Sequence, residues 1–297
     1  MAVKECKKFE TKLLKENKEI ISILLKDNTT NKNIVWGTDN YLNRGIEVDD
    51  EILLDQVMHK RIIRTRSQKA KDEQQKRSKQ KAEVFTPSWI CNKMNNHCDT
   101  EWFGRENVFN TELEKSWESN KHRIKFPEDK NWKDYVNSKK LEITCGEAPY
   151  IVSRYDASTG KDIAIKNRIG FLDRKLRVIN ENAETERTWL IWAKKAFQSV
   201  YGYEFQGDNL FIARMNLLST YIEYMDNRWK RMPTGKELKE IANIISWNIW
   251  QMEGIKGNVP YGPKEEQIDF LKSKENINCN IYDWENKKIV SYNELTS

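Results

Sequence analysis

Proline, histidine and cysteine are all scarce in this chain. Its 297 residues hold six prolines, three histidines and five cysteines. The prolines stand at 87, 127, 149, 233, 260 and 263, and no two are adjacent, which excludes any loop built on a Pro-Pro pair. The cysteines (6, 91, 98, 145 and 279) are odd in number and widely spread. That argues against a disulfide framework and for reduced thiols in a cytoplasmic protein. Cys91, His97 and Cys98 come nearest to a metal set, but their spacing matches no common zinc site, so no metal is expected. No histidine lies near Cys145 in sequence, so that thiol reads as a small packed residue rather than a nucleophile. There is no run of eighteen apolar residues, and Met1 to Glu10 is charged. Neither a membrane span nor a signal peptide is therefore expected.

Charge and aromatic side chains are abundant. Charged residues make up 32% of the chain, with a net charge of +6, and eleven tryptophans accompany eleven tyrosines and ten phenylalanines. A net charge this modest gives little information until its distribution is known. Between Lys60 and Lys81 stand ten Lys and Arg residues against two acids, Asp72 and Glu73. Such a run is either a solvated helix or connector, or an arm whose Arg64, Arg66, Lys69 and Lys71 contact nucleic-acid phosphates.

Periodicity places the main elements. Phe9 to Lys26 predicts a helix with a broad apolar face, and Asp27 to Lys32 a polar break. Asn180 to Ser199 predicts a second helix whose tryptophans, Trp189 and Trp192, belong to the core. Gly207 to Met225 predicts a third. Thr234 with Glu237 three residues on is a capping-box pattern that opens a fourth. Ala157 to Gly160 reads as a turn between two strands, and Ile277 to Trp284 with Lys288 to Tyr292 as a terminal hairpin. The domain reading is a helical segment and basic connector over 1–80, followed by a core over 81–297.

The most informative stretch is Leu141-Glu-Ile-Thr-Cys-Gly-Glu-Ala-Pro-Tyr-Ile-Val152. An apolar residue and a carboxylate run into a small-residue turn, beyond which the apolar pattern resumes. This is how a buried parallel strand hands over to a helix beside a ligand crevice. About sixty residues later Val200-Tyr-Gly-Tyr-Glu-Phe-Gln206 repeats the pattern, with Glu204 at a second strand end. Two acidic strand ends suit a nucleoside that carries ribose hydroxyls and an amine.

Taken together, Val84-Phe-Thr-Pro-Ser-Trp-Ile-Cys91, Leu141 to Tyr150 and Tyr201-Gly-Tyr-Glu-Phe-Gln-Gly-Asp-Asn-Leu-Phe-Ile-Ala-Arg214 resemble the S-adenosylmethionine half of adenine-N6 DNA methyltransferases, those of restriction-modification M subunits. The resemblance covers roughly residues 80 to 255. It implies an α/β, doubly wound and mainly parallel sheet of Rossmann-like type, preceded by a helical N-terminal segment. It also implies S-adenosylmethionine as cofactor and double-stranded DNA as substrate, with a specificity or restriction subunit as a further partner. By that likeness Thr86 and Pro87 would line the methionine end and Glu142 would face its amino group. Cys145, Gly146 and Glu147 would form the turn beneath, Glu204 would take the ribose hydroxyls, and Phe205 would sit beside the adenine.

The departure lies in the catalytic loop. The family uses a polar residue, two prolines and an aromatic ring to hold the flipped base, and this chain has no such run. Asn258-Val-Pro260-Tyr261 is the nearest downstream match, although Gly254 to Gly257 before it makes a poor strand. Asp39-Asn40-Tyr41, after the short apolar Ile34 to Trp36, is the upstream alternative that a circularly permuted order would use. A protein that keeps the cofactor fold as a DNA-binding or partner-binding scaffold is the competing expectation.

Overall fold

The computed structural model describes residues 16–60, 62–81, 83, 86–262 and 277–296. Val84 and Phe85 of the Phe-Thr-Pro element, and the start of the helix expected from Phe9, lie outside the described residues. In chain order the helices are α1 (Lys18–Leu25), α2 (Leu54–Met58), α3 (Lys71–Lys81), α4 (Ser88–Phe103) and α5 (Trp132–Asn137). They continue as α6 (Phe171–Asn182), α7 (Glu186–Gln198), α8 (Gly207–Trp229), α9 (Gly235–Asn248) and α10 (Tyr292–Thr296). The strands are β1 (Asn110–Glu112), β2 (Trp117–Ser119), β3 (Lys140–Glu142), β4 (Val200–Glu204), β5 (Ile249–Gln251), β6 (Asn280–Asp283) and β7 (Lys288–Ser291).

β3, β4 and β5 form one parallel sheet in that order, with Leu141 opposite Tyr201 and Tyr203 opposite Trp250. Parallel strands need long crossovers; α6 and α7 lie between β3 and β4, and α8 and α9 between β4 and β5. The fold is thus mixed α/β with a small parallel sheet. Among the described residues the sheet stops at β3, with nothing on the far side of the strand that carries the Gly146 turn. A doubly wound sheet has strands on both sides of its first strand. The order seen here corresponds to one such half, so the expected doubly wound sheet is only partly present.

Helix ends follow the local chemistry. Thr234 accepts a hydrogen bond from the Glu237 amide at 3.3 Å and Glu237 accepts one from the Thr234 amide at 2.7 Å, the capping box read from the sequence. The single helix expected over Asn180 to Ser199 is instead divided. Ala183 is extended, and the Thr185 hydroxyl accepts from the Thr188 amide to open α7 afresh. A capping oxygen in mid-pattern favours a helix start over continuation. The turn at Ala157 to Gly160 is present, but only an isolated bridge from Tyr155 to Asp162 flanks it. β6 and β7 pair as the expected antiparallel hairpin.

The N-terminal segment and the rest of the chain share one apolar core. Ile20, Ile21, Leu24 and Leu25 of α1 are fully buried and pack with Leu210, Leu217, Ile241 and Ile245 of α8 and α9. The junction is held by Arg214, itself fully buried. It donates to the carbonyls of Leu24 (2.7 Å) and Lys26 (2.9 Å) at the end of α1, and to those of Ser246 and Ile249 at the end of α9. Burial lowers its pKa to about 10. Replacing Arg214 with alanine strands those carbonyls and opens a cavity, so unfolding in urea should show a loss of about 3 kcal/mol or more. A loss under about 1 kcal/mol would mean that water replaces the guanidinium without cost.

Candidate functional site

The carboxyl ends of β3 and β4 open onto a cavity of about 850 Å³. Strand-end loops of parallel sheets gather ligand groups because each chain leaves its strand on the same side. Most of the cofactor-site residues expected from the sequence meet there: Thr86, Glu142, Cys145, Gly146, Glu204 and Phe205 all line the wall.

The turn after β3 is backbone under constraint. Thr144, Gly146 and Ala148 have φ of 45°, 55° and 63°. Left-handed conformations cost non-glycine residues energy and collect at functional sites. Two carboxylates hold the turn. Glu204 accepts from the Gly146 amide at 2.8 Å and from the Gln206 amide at 3.0 Å. Glu142 accepts from the amides of Tyr150 (3.3 Å) and Ile151 (3.1 Å). Each carboxylate offers about four acceptor positions, so these bonds still leave capacity for a ligand.

The electrostatics are one-sided. Glu83, Glu142 and Glu204 line the cavity, and among the described residues no lysine, arginine or histidine does. Desolvation by burial, with the neighbouring Glu204 adding to it, raises the pKa of Glu142 to about 8. Burial likewise raises that of Glu204, against its two amide donors. Beneath the wall lies a buried charged cluster. Asp208 pairs with Arg77 at 2.8 Å and Lys69 at 3.3 Å, and accepts from the Tyr41 hydroxyl at 3.0 Å. Arg77 also pairs with Glu83 and donates to Gln206. Burial opposes the charge of Asp208, but Lys69 and Arg77 hold its pKa far below the usual carboxylate range.

Other expected site residues lie elsewhere. Pro87 precedes α4 as its N-cap and is absent from the wall. Glu147 turns inward, accepting from the Arg66 amide and the Tyr155 hydroxyl, and so clamps the basic connector to the turn. Tyr41 is buried with its hydroxyl committed to Asp208, and Asn40 donates to Thr38; the Asp39–Arg44 turn of 3-10 helix presents no ring to the cavity. Asn258 and Pro260 are buried and absent from the wall, whereas Tyr261 lines it, half exposed, with its ring 5.7 Å from that of Phe205. Of the expected phosphate contacts, Arg64 and Lys71 are exposed and Arg66 half-buried, but Lys69 is buried in the Asp208 cluster and cannot reach a phosphate.

The wall also uses residues that sequence reasoning passed over: Gly37, Met94, Asn95, Cys98, Gln206 and Asn209. Gly37 had a local signal, since it stands two residues before the upstream catalytic candidate at Asp39. Its role is spatial: φ is +65°, and a Cβ there would stand 2.6 Å from the Phe205 carbonyl oxygen. Asn95 gave no signal. It is fully buried, and its amide donates to the carbonyls of Tyr150 (3.0 Å) and Ile169 (2.9 Å). Cys91 is buried and donates to the Thr86 carbonyl, while His97 is exposed beside Glu101. Among the described residues no group of three or more His, Cys, Asp or Glu side chains is placed to hold a metal ion. Among them, too, no helix is long and apolar enough to cross a membrane. No family model matches the chain, and neither a curated protein nor a solved structure does.

The Glu142 pKa has a consequence for stability. Between about pH 4.3, the unfolded value, and about pH 8 the folded protein holds a proton that the unfolded chain has released. Stability without ligand should therefore fall as pH rises through this window. Glu142→Gln should flatten that decline in urea titrations run across pH 5 to 8. An unchanged slope would place the proton on another group.

Proposed function

We propose that the cavity binds S-adenosylmethionine and that the protein serves methyl transfer to the exocyclic amine of adenine in double-stranded DNA. The single observation behind this reading is a cavity lined by three glutamates and, among the described residues, no base. Two of the three are held away from full ionisation by burial. Such a wall repels nucleotides that carry phosphates and favours a cationic ligand. The donor set suits the proposed ligand. Glu204 has acceptor capacity for a ribose diol, Glu142 for an ammonium, and Phe205 offers apolar ring surface beside them. When bound, S-adenosylmethionine supplies a sulfonium whose methyl group is the electrophile.

The chain's own work in this reading is positioning. Glu204 fixes the turn through Gly146 while leaving acceptor capacity toward the cavity, so the strained backbone beneath the ligand is set before binding. Preorganisation of this kind lowers the cost of ordering at the moment of binding. Glu142 changes its protonation with the ligand: a cation beside it favours the carboxylate, so binding releases a proton. Tyr261 is the one member of the Asn258-Val-Pro-Tyr261 run on the wall, and in this reading its ring receives the flipped base. The wider partner reading, a specificity or restriction subunit, remains an expectation of the resemblance.

A second reading has an observation of its own. Asn258 and Pro260 are buried and absent from the cavity wall, and the sheet ends at β3 among the described residues. A scaffold that binds the ligand without turnover would have this form. Transfer of a tritiated methyl group to unmodified duplex DNA separates the two. Counts that disappear in Tyr261→Ala with ligand binding intact support the enzyme, and no counts from the parent protein support the scaffold.

Calorimetry tests the charge argument directly. Both the sulfonium and its thioether product carry the ammonium that faces Glu142, so the sulfonium should bind more tightly through its extra positive charge against the cavity's carboxylates. Affinity should rise with pH toward 8 as the Glu142 carboxylate ionises. Glu204→Ala should cost about 1 to 3 kcal/mol of binding. Equal affinity for sulfonium and thioether would sink the reading.

A further inference from the structure

The basic connector folds into a two-sided element. On its inner side Lys69 and Arg77 are buried against Asp208. On its outer side Arg66, Lys71, Gln74, Gln75, Ser78 and Lys79 line a separate open concavity of about 360 Å³. Lys71, Gln74, Gln75, Ser78 and Lys79 fall at helical spacing, so they share one stripe of α3. All of these side chains carry N–H or O–H donors, and none is a carboxylate. Glu73, the nearest acid on the helix with a described side chain, does not line it.

This groove and the acidic cavity share a wall. The Ser78 hydroxyl donates to the Glu83 carbonyl at 3.0 Å, and the Arg66 guanidinium to the same oxygen at 3.1 Å. The side chain of that residue lines the cavity and pairs with Arg77. A groove lined by donors therefore adjoins a cavity lined by three glutamates, with Glu83 between them. Buried Lys69 and Arg77 set the helix in place, so the outward lysines need little ordering to receive a ligand.

We propose that this groove is a docking site for the phosphodiester backbone of a nucleic acid, and that it holds the strand whose base enters the neighbouring cavity. The second half of this statement rests on the function proposed above; the first does not. A phosphodiester provides non-bridging oxygens at intervals along a strand, matched to donors spread along a helix stripe. A lone phosphate would use only part of the stripe.

The test is duplex DNA binding by fluorescence anisotropy over a range of salt, with the full chain. Changing Lys71 and Lys79 together to glutamine should weaken binding by about tenfold at moderate salt and reduce the log–log salt slope by roughly 2, about 0.9 for each phosphate left without its lysine. Lys121 and Lys125, exposed and remote in sequence, changed together to glutamine give a control with the same loss of charge. Near-parental slope in this control, with matched melting temperatures, is the expected result. An equal loss in both pairs, an unchanged slope in the α3 pair or no duplex binding by the parent would overturn the proposal. Inorganic phosphate provides the remaining arm. If it displaces DNA at equivalent phosphate concentration, the groove is a free-anion site and the nucleic-acid assignment fails. S-adenosylmethionine affinity, measured on the same proteins, should stay at the parental value. Its failure in the parent would count against the proposed function and leave the groove untouched.

Discussion

The pairing of Arg77 with Asp208 determines most of what surrounds the cavity. Asp208 opens α8 and is fully buried, so its charge must be met from inside the protein. A lone carboxylate in that position would cost several kcal/mol. Arg77 and Lys69 meet it, and both come from a stretch that by composition should be solvated. Packing these cations brings in the connector, α3 and, through the Tyr41 hydroxyl, the N-terminal segment. Arg77 then orients Glu83 and Gln206 in the cavity wall. The pair adds little net stability over an apolar replacement. Its contribution is to fix which parts of a long chain meet around one site.

That constraint explains what was legible in the sequence and what was not. Elements set by neighbours in the chain were legible: the Thr234 capping box, α8, the terminal hairpin, and the strand ends at Glu142 and Glu204. Each depends on side-chain period or on a residue within four positions. The cavity wall was legible where it is built from those strand ends. Asn95 and Asn209 were not, because they reach the wall through helix orientation, for which no local pattern exists. The fate of Lys69 was hidden for a related reason. A basic run looks solvated unless the acid that buries part of it is known, and Asp208 stands 139 positions away. The break between α6 and α7 shows the opposite error, in which strong apolar period masked a local cap at Thr185.

The sheet order adds a physical reason for the position of the site. With β3 at the edge, the strained turn after it faces open space on one side, where Leu141 and Ile143 are 48% and 63% exposed. Ordinary parallel sheets are covered on both faces by their crossover helices. Here the covered region lies over β4 and β5, on which α8 and α9 pack, and the uncovered region adjoins the cavity. Burial sufficient to raise the Glu142 pKa thus coexists with an apolar, exposed rim a residue away along the same strand.

Two opposed potentials meet on either side of Glu83. The cavity gathers three carboxyl groups, and burial raises the pKa of two of them, Glu142 and Glu204. The α3 stripe displays positive charge to solvent, where salt screens it. Without the buried Arg77 between them, the glutamate in the shared wall would add to the cavity's repulsion and α3 would lose its anchor. With it, Glu83 is neutralised from behind and α3 stays fixed beside the cavity. In the proposed function the two surfaces divide a ligand pair of opposite charge, a small cation inside and a polyanion outside.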